Sequence, residues 1–158
     1  VLRENDEIAT TSIFGNFMAG SYFFANQAYN ANELTINDQL YLLESQIIHS
    51  LAEKGPCVII GRCADYVLRE HKHTLNVFVH ADIEFRKKRA VEHYGISPKK
   101  IEEFLHKQDK HRAHYHSFYT DQKWKAIENY DLTIDSSRFG VDASVEMIIA
   151  AAKIKSGI

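Results

Sequence analysis

Residues Leu75–Gly95 read LNVFVHADIEFRKKRAVEHYG, and two structural periods meet inside them. LNVFV (Leu75–Val79) is a short, nearly wholly apolar run, the pattern of a strand buried on both faces. From Asp82 onward the composition turns helical. Asp82 is placed as an N-cap and Gly95 as the left-handed residue that ends the helix. A strand leading directly into a helix is the unit from which parallel sheets are built.

Two further runs have the same apolar character, CVII (Cys57–Ile60), which lies between Gly55-Pro56 and Gly61, and YDLTI (Tyr130–Ile134). Helical patterns alternate with them. Ile36, Leu40, Leu43, Ile47 and Leu51 recur every three or four residues, with Thr35 as N-cap and Gly55-Pro56 as the stop. Others are predicted over Asp65–Glu70, between Asp82 and Gly95, from Ser97 (N-cap) and Pro98 (first turn) to about His116, and over Val141–Lys155. The expectation is an α/β chain whose three buried strands form a parallel sheet covered on both faces, with ligands bound beyond the carboxyl ends of the strands. Residues 1–34 show no clean period; their phenylalanines and glycines suit an irregular substrate flap or an insert.

The chain has 158 residues, 45% hydrophobic and 25% charged, enough for a core and unlike a disordered or disulfide-framed protein. Two cysteines, Cys57 and Cys63, favour a reducing, cytoplasmic location. No apolar run reaches the roughly 20 residues that span a bilayer, and VLRENDE does not read as a signal peptide, so no membrane association is expected. The same acidic start, without Met, suggests residues upstream.

Charge is unevenly distributed. Arg86–Lys125 holds eleven Lys/Arg against five acids, a net +6, whereas the remainder holds eight against sixteen, a net −8. Such a block is either a solvated helical face or an anion site. The strand ends favour the latter. Gly61 allows a sharp turn after the first strand, and Arg62 then stands at the ligand edge, where its planar fork suits phosphate oxygens. Asp65, one turn on, is placed to orient that Arg or to accept a hydrogen bond from a ligand. Arg86 and Arg89 share a helical face, and Asp109 and Arg112 are spaced to pair at i, i+3. Lys107, Lys110 and His111 add charge nearby. Ser136 and Ser137 follow the third strand as small polar turn residues. His106, His111, His114 and His116 lack an H-E-x-x-H or C-x-x-C context, so no metal site is expected and pH-dependent positive charge is the simpler role.

Taken together, EKGPCVIIGRCADYVLRE, VFVHADIEFRKKRAVEHYGIS, HKQDKHRAHYHSFYTDQKW and NYDLTIDSS resemble the cytidylate-kinase-like family, relatives of the P-loop nucleoside monophosphate kinases. The resemblance runs from about Leu34 to the C-terminus. It implies a three-layer α/β fold of P-loop nucleoside monophosphate kinase type with a parallel sheet and a helical lid. One kinase-like domain would cover residues 1–158, with the lid over 83–125. It implies ATP-dependent transfer of a phosphoryl group to a nucleoside monophosphate, CMP- or dCMP-like, with ATP and Mg²⁺ as cofactors, in a monomer or homodimer that uses no nucleic acid. By resemblance, Gly61 and Arg62 would bind the acceptor; Asp65, one turn on, and Lys107, by its charge, are expected to join them there. Arg86, Arg89, Asp109 and Arg112 would serve phosphoryl transfer, and Ser136 and Ser137 would approach the adenine.

The sequence departs from that pattern twice. Cytidylate kinases place an Asp directly after the Arg, where this chain has Cys63, which leaves the acceptor base open. No G-x-x-x-x-G-K-[ST] and no Gly-rich loop after a strand occurs. The expectation is a chain lacking its first strand and phosphate loop by truncation. The alternatives to truncation are a natural variant without the loop and a segment from another chain that fills the gap; the alternatives to the kinase function are a nucleotide- or phosphate-binding sensor without catalysis, and an RNA-binding module stacking bases on Tyr115, Phe118, Tyr119 and Trp124. Overall acidity weighs against the last.

Overall fold

The computed structural model describes residues 35–157. The expectations of a flap or insert over residues 1–34 lie outside them. The chain divides between Leu40 and Tyr41 into two units, and everything below except the first turn of α1 belongs to the second. In order, the elements are α1 (Ile36–Lys54), α2 (Ala64–Val67), β1 (Val77–His80), α3 (Ile83–Tyr94), α4 (Ile101–Thr120), a single 3₁₀ turn (Ile127–Asn129), β2 (Leu132–Asp135) and α5 (Ser136–Ser156). The architecture is α/β and mostly helical, with a parallel sheet of two strands among the described residues.

The ends of the elements follow the capping chemistry of the sequence. Thr35 and Asp38 cap α1 reciprocally. The Thr35 hydroxyl accepts the Asp38 N–H at 3.2 Å, and the Asp38 carboxylate accepts the Thr35 N–H at 3.1 Å. Asp82 accepts the Phe85 N–H at 2.8 Å at the start of α3, and Gly95 ends that helix with φ 62°. α4 starts later than Ser97-Pro98 predicts. Lys100 N–H closes a turn on the Ser97 carbonyl at 3.1 Å, so Pro98–Lys100 form a separate turn and the helix begins at Ile101. It then runs past His116 to Thr120.

β1 and β2 lie side by side in register Val77–Leu132 through His80–Asp135, one or two residues later than the apolar runs suggest. Ile134 is buried, but Val79 is 51% exposed, so β1 is not covered on both faces. The expected third strand is corrected more sharply. Cys57–Ile60 makes no strand pairing with any described residue, and Val58 and Ile60 are 92% and 89% exposed. A two-faced buried strand needs a ladder partner to satisfy its backbone and cover its side chains, and no described segment supplies one here.

Among the described residues, two small cores hold the elements. Ile48 of α1 packs with Val67 and Leu68, flanked by Tyr41, Ala52, Ile59 and Ala64. Ala90 of α3 packs with Ile101 and Leu105 of α4, flanked by Ile83, Ile96 and Phe104. The inward face of α1 is rotated from the predicted stripe: Glu44 and Ile48 are buried, while Ile36, Leu40 and Leu51 are exposed. Ile48→Ala should therefore lower stability to urea by about 2–4 kcal/mol, the cost of a core cavity. Ile154→Ala, at an 81% exposed position of α5, should change it by less than about 0.5 kcal/mol. Equal losses would mean that Ile48 is not a core residue.

Candidate functional site

Helices α3 and α4 pack against each other through Ala90, Ile101 and Leu105, and that contact brings together side chains 23 residues apart. Asp109 of α4 accepts two hydrogen bonds from the Arg86 guanidinium of α3, at 2.8 and 2.9 Å, in a fork-to-carboxylate pair. Arg112, one turn along α4, stands 3.5 Å from Oδ1 of the same carboxylate, and Lys125 stands 3.6 Å from its Oδ2. Burial opposes ionisation of Asp109. The Arg86 hydrogen bonds and the charges of Arg86, Lys125 and Arg112 outweigh it and hold the carboxyl below the usual carboxylate range. Three cations thus face one anion. Arg112 and Lys125 keep 58% and 62% of their side chains exposed, so both can also meet a ligand.

A second polar cluster surrounds the turn after Ile60. Gly61, Arg62 and Cys63 have φ of 73°, 54° and 55°, three left-handed residues in a row. For the two that carry a Cβ this costs on the order of 1–3 kcal/mol each. Side-chain anchors oppose that cost. Arg62 pairs with the buried Glu44 of α1 at 3.1 Å, and Glu44 also accepts the Tyr115 hydroxyl of α4 at 2.9 Å. Asp65 accepts from Nε2 of the buried His116 at 2.8 Å, and the Thr120 hydroxyl lies 3.2 Å from His116 Nδ1. Cys63 is buried, and burial, then the Asp65 and Glu44 carboxylates, push its thiol up to about 12. The thiol is therefore protonated and unreactive near neutral pH.

The third cluster joins the strand ends. Ser136 donates to the His80 carbonyl at 3.0 Å; the Ser137 hydroxyl accepts the Asp82 N–H at 3.2 Å and donates to the Asp135 carboxylate. Both serines open helix α5, capped by Asp135, instead of lying in a loop.

Against the sequence, then, the structure joins Arg86, Asp109 and Arg112 in one cluster. Arg89 and Lys107 are exposed and have no part in it. Arg62 is oriented by Glu44 and not by Asp65, whose partner is His116. His116 is a buried hydrogen-bonding residue, not part of a solvated positive face. Tyr115 and Tyr119 are packing residues, the first bonded to Glu44 and the second stacked on Tyr41 at 4.1 Å. Sequence reasoning missed Lys125 as a member of the cluster, and Glu44, Tyr115 and His116 as its neighbours' anchors. A charged residue at i−4 from Ile48, on the face that proves to be inward, was the available signal for Glu44. Among the described residues no group of three or more His, Cys, Asp or Glu is placed to hold a metal ion, and no helix is long and apolar enough to cross a membrane.

The chain belongs to the cytidylate kinase-like family, whose sequence profile matches residues 1–138. That match extends through residues 1–34, where the resemblance by motif stops. Among solved structures, an uncharacterized protein from Eubacterium ventriosum is similar at TM-score 0.71 and 30% identity, over 76% of this chain and 68% of that one. No curated protein matches.

The ion-pair cluster has a pH signature. A carboxylate whose folded-state pKa is depressed contributes stability that is present above its unfolded value of roughly 3.9. That contribution is lost as pH falls through the lower folded value. Urea unfolding of the wild type and Asp109→Asn from neutral to acidic pH should show a gap at pH 7 that closes below about pH 4. A gap independent of pH would mean that the Asp109 charge does not hold the cluster.

Proposed function

We propose that this protein transfers the γ-phosphoryl group of ATP to a nucleoside monophosphate, with a CMP- or dCMP-like acceptor favoured. The observation that carries the proposal is the Arg86–Asp109–Arg112–Lys125 cluster. Phosphoryl transfer spreads negative charge over the oxygens of the moving group, and catalysis rests largely on positioned cations. Asp109 orients Arg86 by two hydrogen bonds and keeps Arg112 and Lys125 nearby, so the positive charge is arranged before a ligand arrives. An acceptor phosphate oxygen attacks the γ-phosphorus, the bond to the β-phosphate oxygen breaks, and ADP leaves. Arg62, half exposed and fixed from behind by Glu44, is suited to hold the acceptor phosphate. Family membership supports a nucleotide-related kinase function.

The finer picture is part of the same proposal: a three-layer P-loop sheet, a helical lid over 83–125, the nucleoside monophosphate as the partner molecule, a monomer or homodimer, and a cytoplasmic setting. Family kinases use ATP with Mg²⁺. No group of three or more His, Cys, Asp or Glu among the described residues is placed to hold it, and no step is assigned to it. The second proposal is nucleotide or phosphate binding without transfer.

A coupled assay for ADP release, run with each nucleoside monophosphate in turn, separates the two. The kinase proposal expects turnover highest with CMP or dCMP, and an Arg112→Ala loss of about 10²-fold in kcat, as for removal of one charge-stabilising group. Nucleotide binding without turnover would leave the sensor, and unchanged turnover in Arg112→Ala would remove that residue from the mechanism.

A further inference from the structure

A concavity of about 360 Å³ lies beside the cation cluster, lined by Ala113, His114, Ser117, Lys123, Trp124 and Lys125. Its volume is at the lower end of the range of ligand clefts, about 300–1,000 Å³. Trp124 is the sole tryptophan of the chain, and it is fixed in place from behind. Its ring meets Phe78 of β1 edge to face at 5.5 Å, and its carbonyl accepts the Tyr130 hydroxyl at 2.6 Å. Lys125 joins this wall to the ion-pair cluster: its Nζ stands 5.5 Å from the Trp124 ring centroid and 3.6 Å from the Asp109 carboxylate.

The geometry points to the concavity as the seat of the base of a bound nucleotide, with Trp124 as the stacking platform and Lys125 as the link to the phosphates. This inference rests on the proposal that the Asp109 cluster takes phosphate. The chemistry calls for a flat aromatic body carrying an anionic tail. An indole and the small side chains of Ala113 and Ser117 suit the body, since every base has a π-face and stacking on an aromatic ring tolerates any base. Lys123, Lys125, Arg112 and Arg86 against Asp109 suit the tail by charge complementarity.

Because Trp124 is the only indole, its fluorescence reports on the site directly. Excited selectively, the protein is titrated with CMP, with ATP and with inorganic tripolyphosphate, while calorimetry measures binding of each. The expected result is saturable quenching by nucleotides and little change with tripolyphosphate. Ser117→Leu, at an exposed helical position on the rim, should weaken nucleotide binding about fivefold or more, the loss of one base–aromatic contact, and leave tripolyphosphate affinity unchanged. Nucleotide binding by calorimetry with no fluorescence response, and with wild-type affinity in Ser117→Leu, would overturn the base site while leaving phosphate binding at the cluster intact. Absence of binding by nucleotides and tripolyphosphate alike would overturn both.

Discussion

Asp109 is the anion around which the cationic part of this molecule is organised. Left to themselves, Arg86, Arg112 and Lys125 repel one another and keep their long side chains in water, where rotamer entropy scatters them. One half-buried carboxylate reverses this by binding Arg86 through two hydrogen bonds and holding the other two cations within 3.6 Å. The packing of Ala90 against Ile101 and Leu105 sets the separation of α3 and α4 at which that fork can form. Core packing and site electrostatics are thus a single constraint.

The same helix, α4, also anchors the second polar cluster. Tyr115 and His116, the residues after the cationic turn of α4, reach the Glu44–Arg62 pair and Asp65 respectively. These contacts span 71 and 51 residues of sequence, and they offset the unfavourable dihedrals of Arg62 and Cys63. Glu44 holds the Arg62 guanidinium at 3.1 Å and so limits its orientation. A strained turn kept by convergent polar anchors is what a preorganised binding group requires, since the cost is met by folding and not at the moment of binding.

Much of the local structure is legible in the sequence because its signals are local. Asp82 and Gly95 bound α3, Thr35 starts α1, and Asp109 with Arg112 follows from helical spacing. What depends on distant partners is not legible. Cys57–Ile60 has the composition of a strand, but a strand exists only with a neighbour to pair, and no described residue pairs with it. The inward turn of Glu44 makes sense only once Arg62 and Tyr115 are known to meet it. Arg89 fits the helical face of Arg86 by spacing, yet of the two it is Arg86 that meets the Asp109 carboxylate. Lys125 lies beyond the end of α4, where no period fixes its direction.

Calorimetric titration of ATP, at low and at physiological salt, into the wild type and the Arg86→Ala/Arg112→Ala double variant tests the central claim most directly. If the Asp109 cluster is an anion site, wild-type affinity falls as salt rises, and the double variant binds about tenfold more weakly or worse at low salt, as for loss of charge-assisted hydrogen bonds. Equal affinity and equal salt dependence in the two proteins would contradict it.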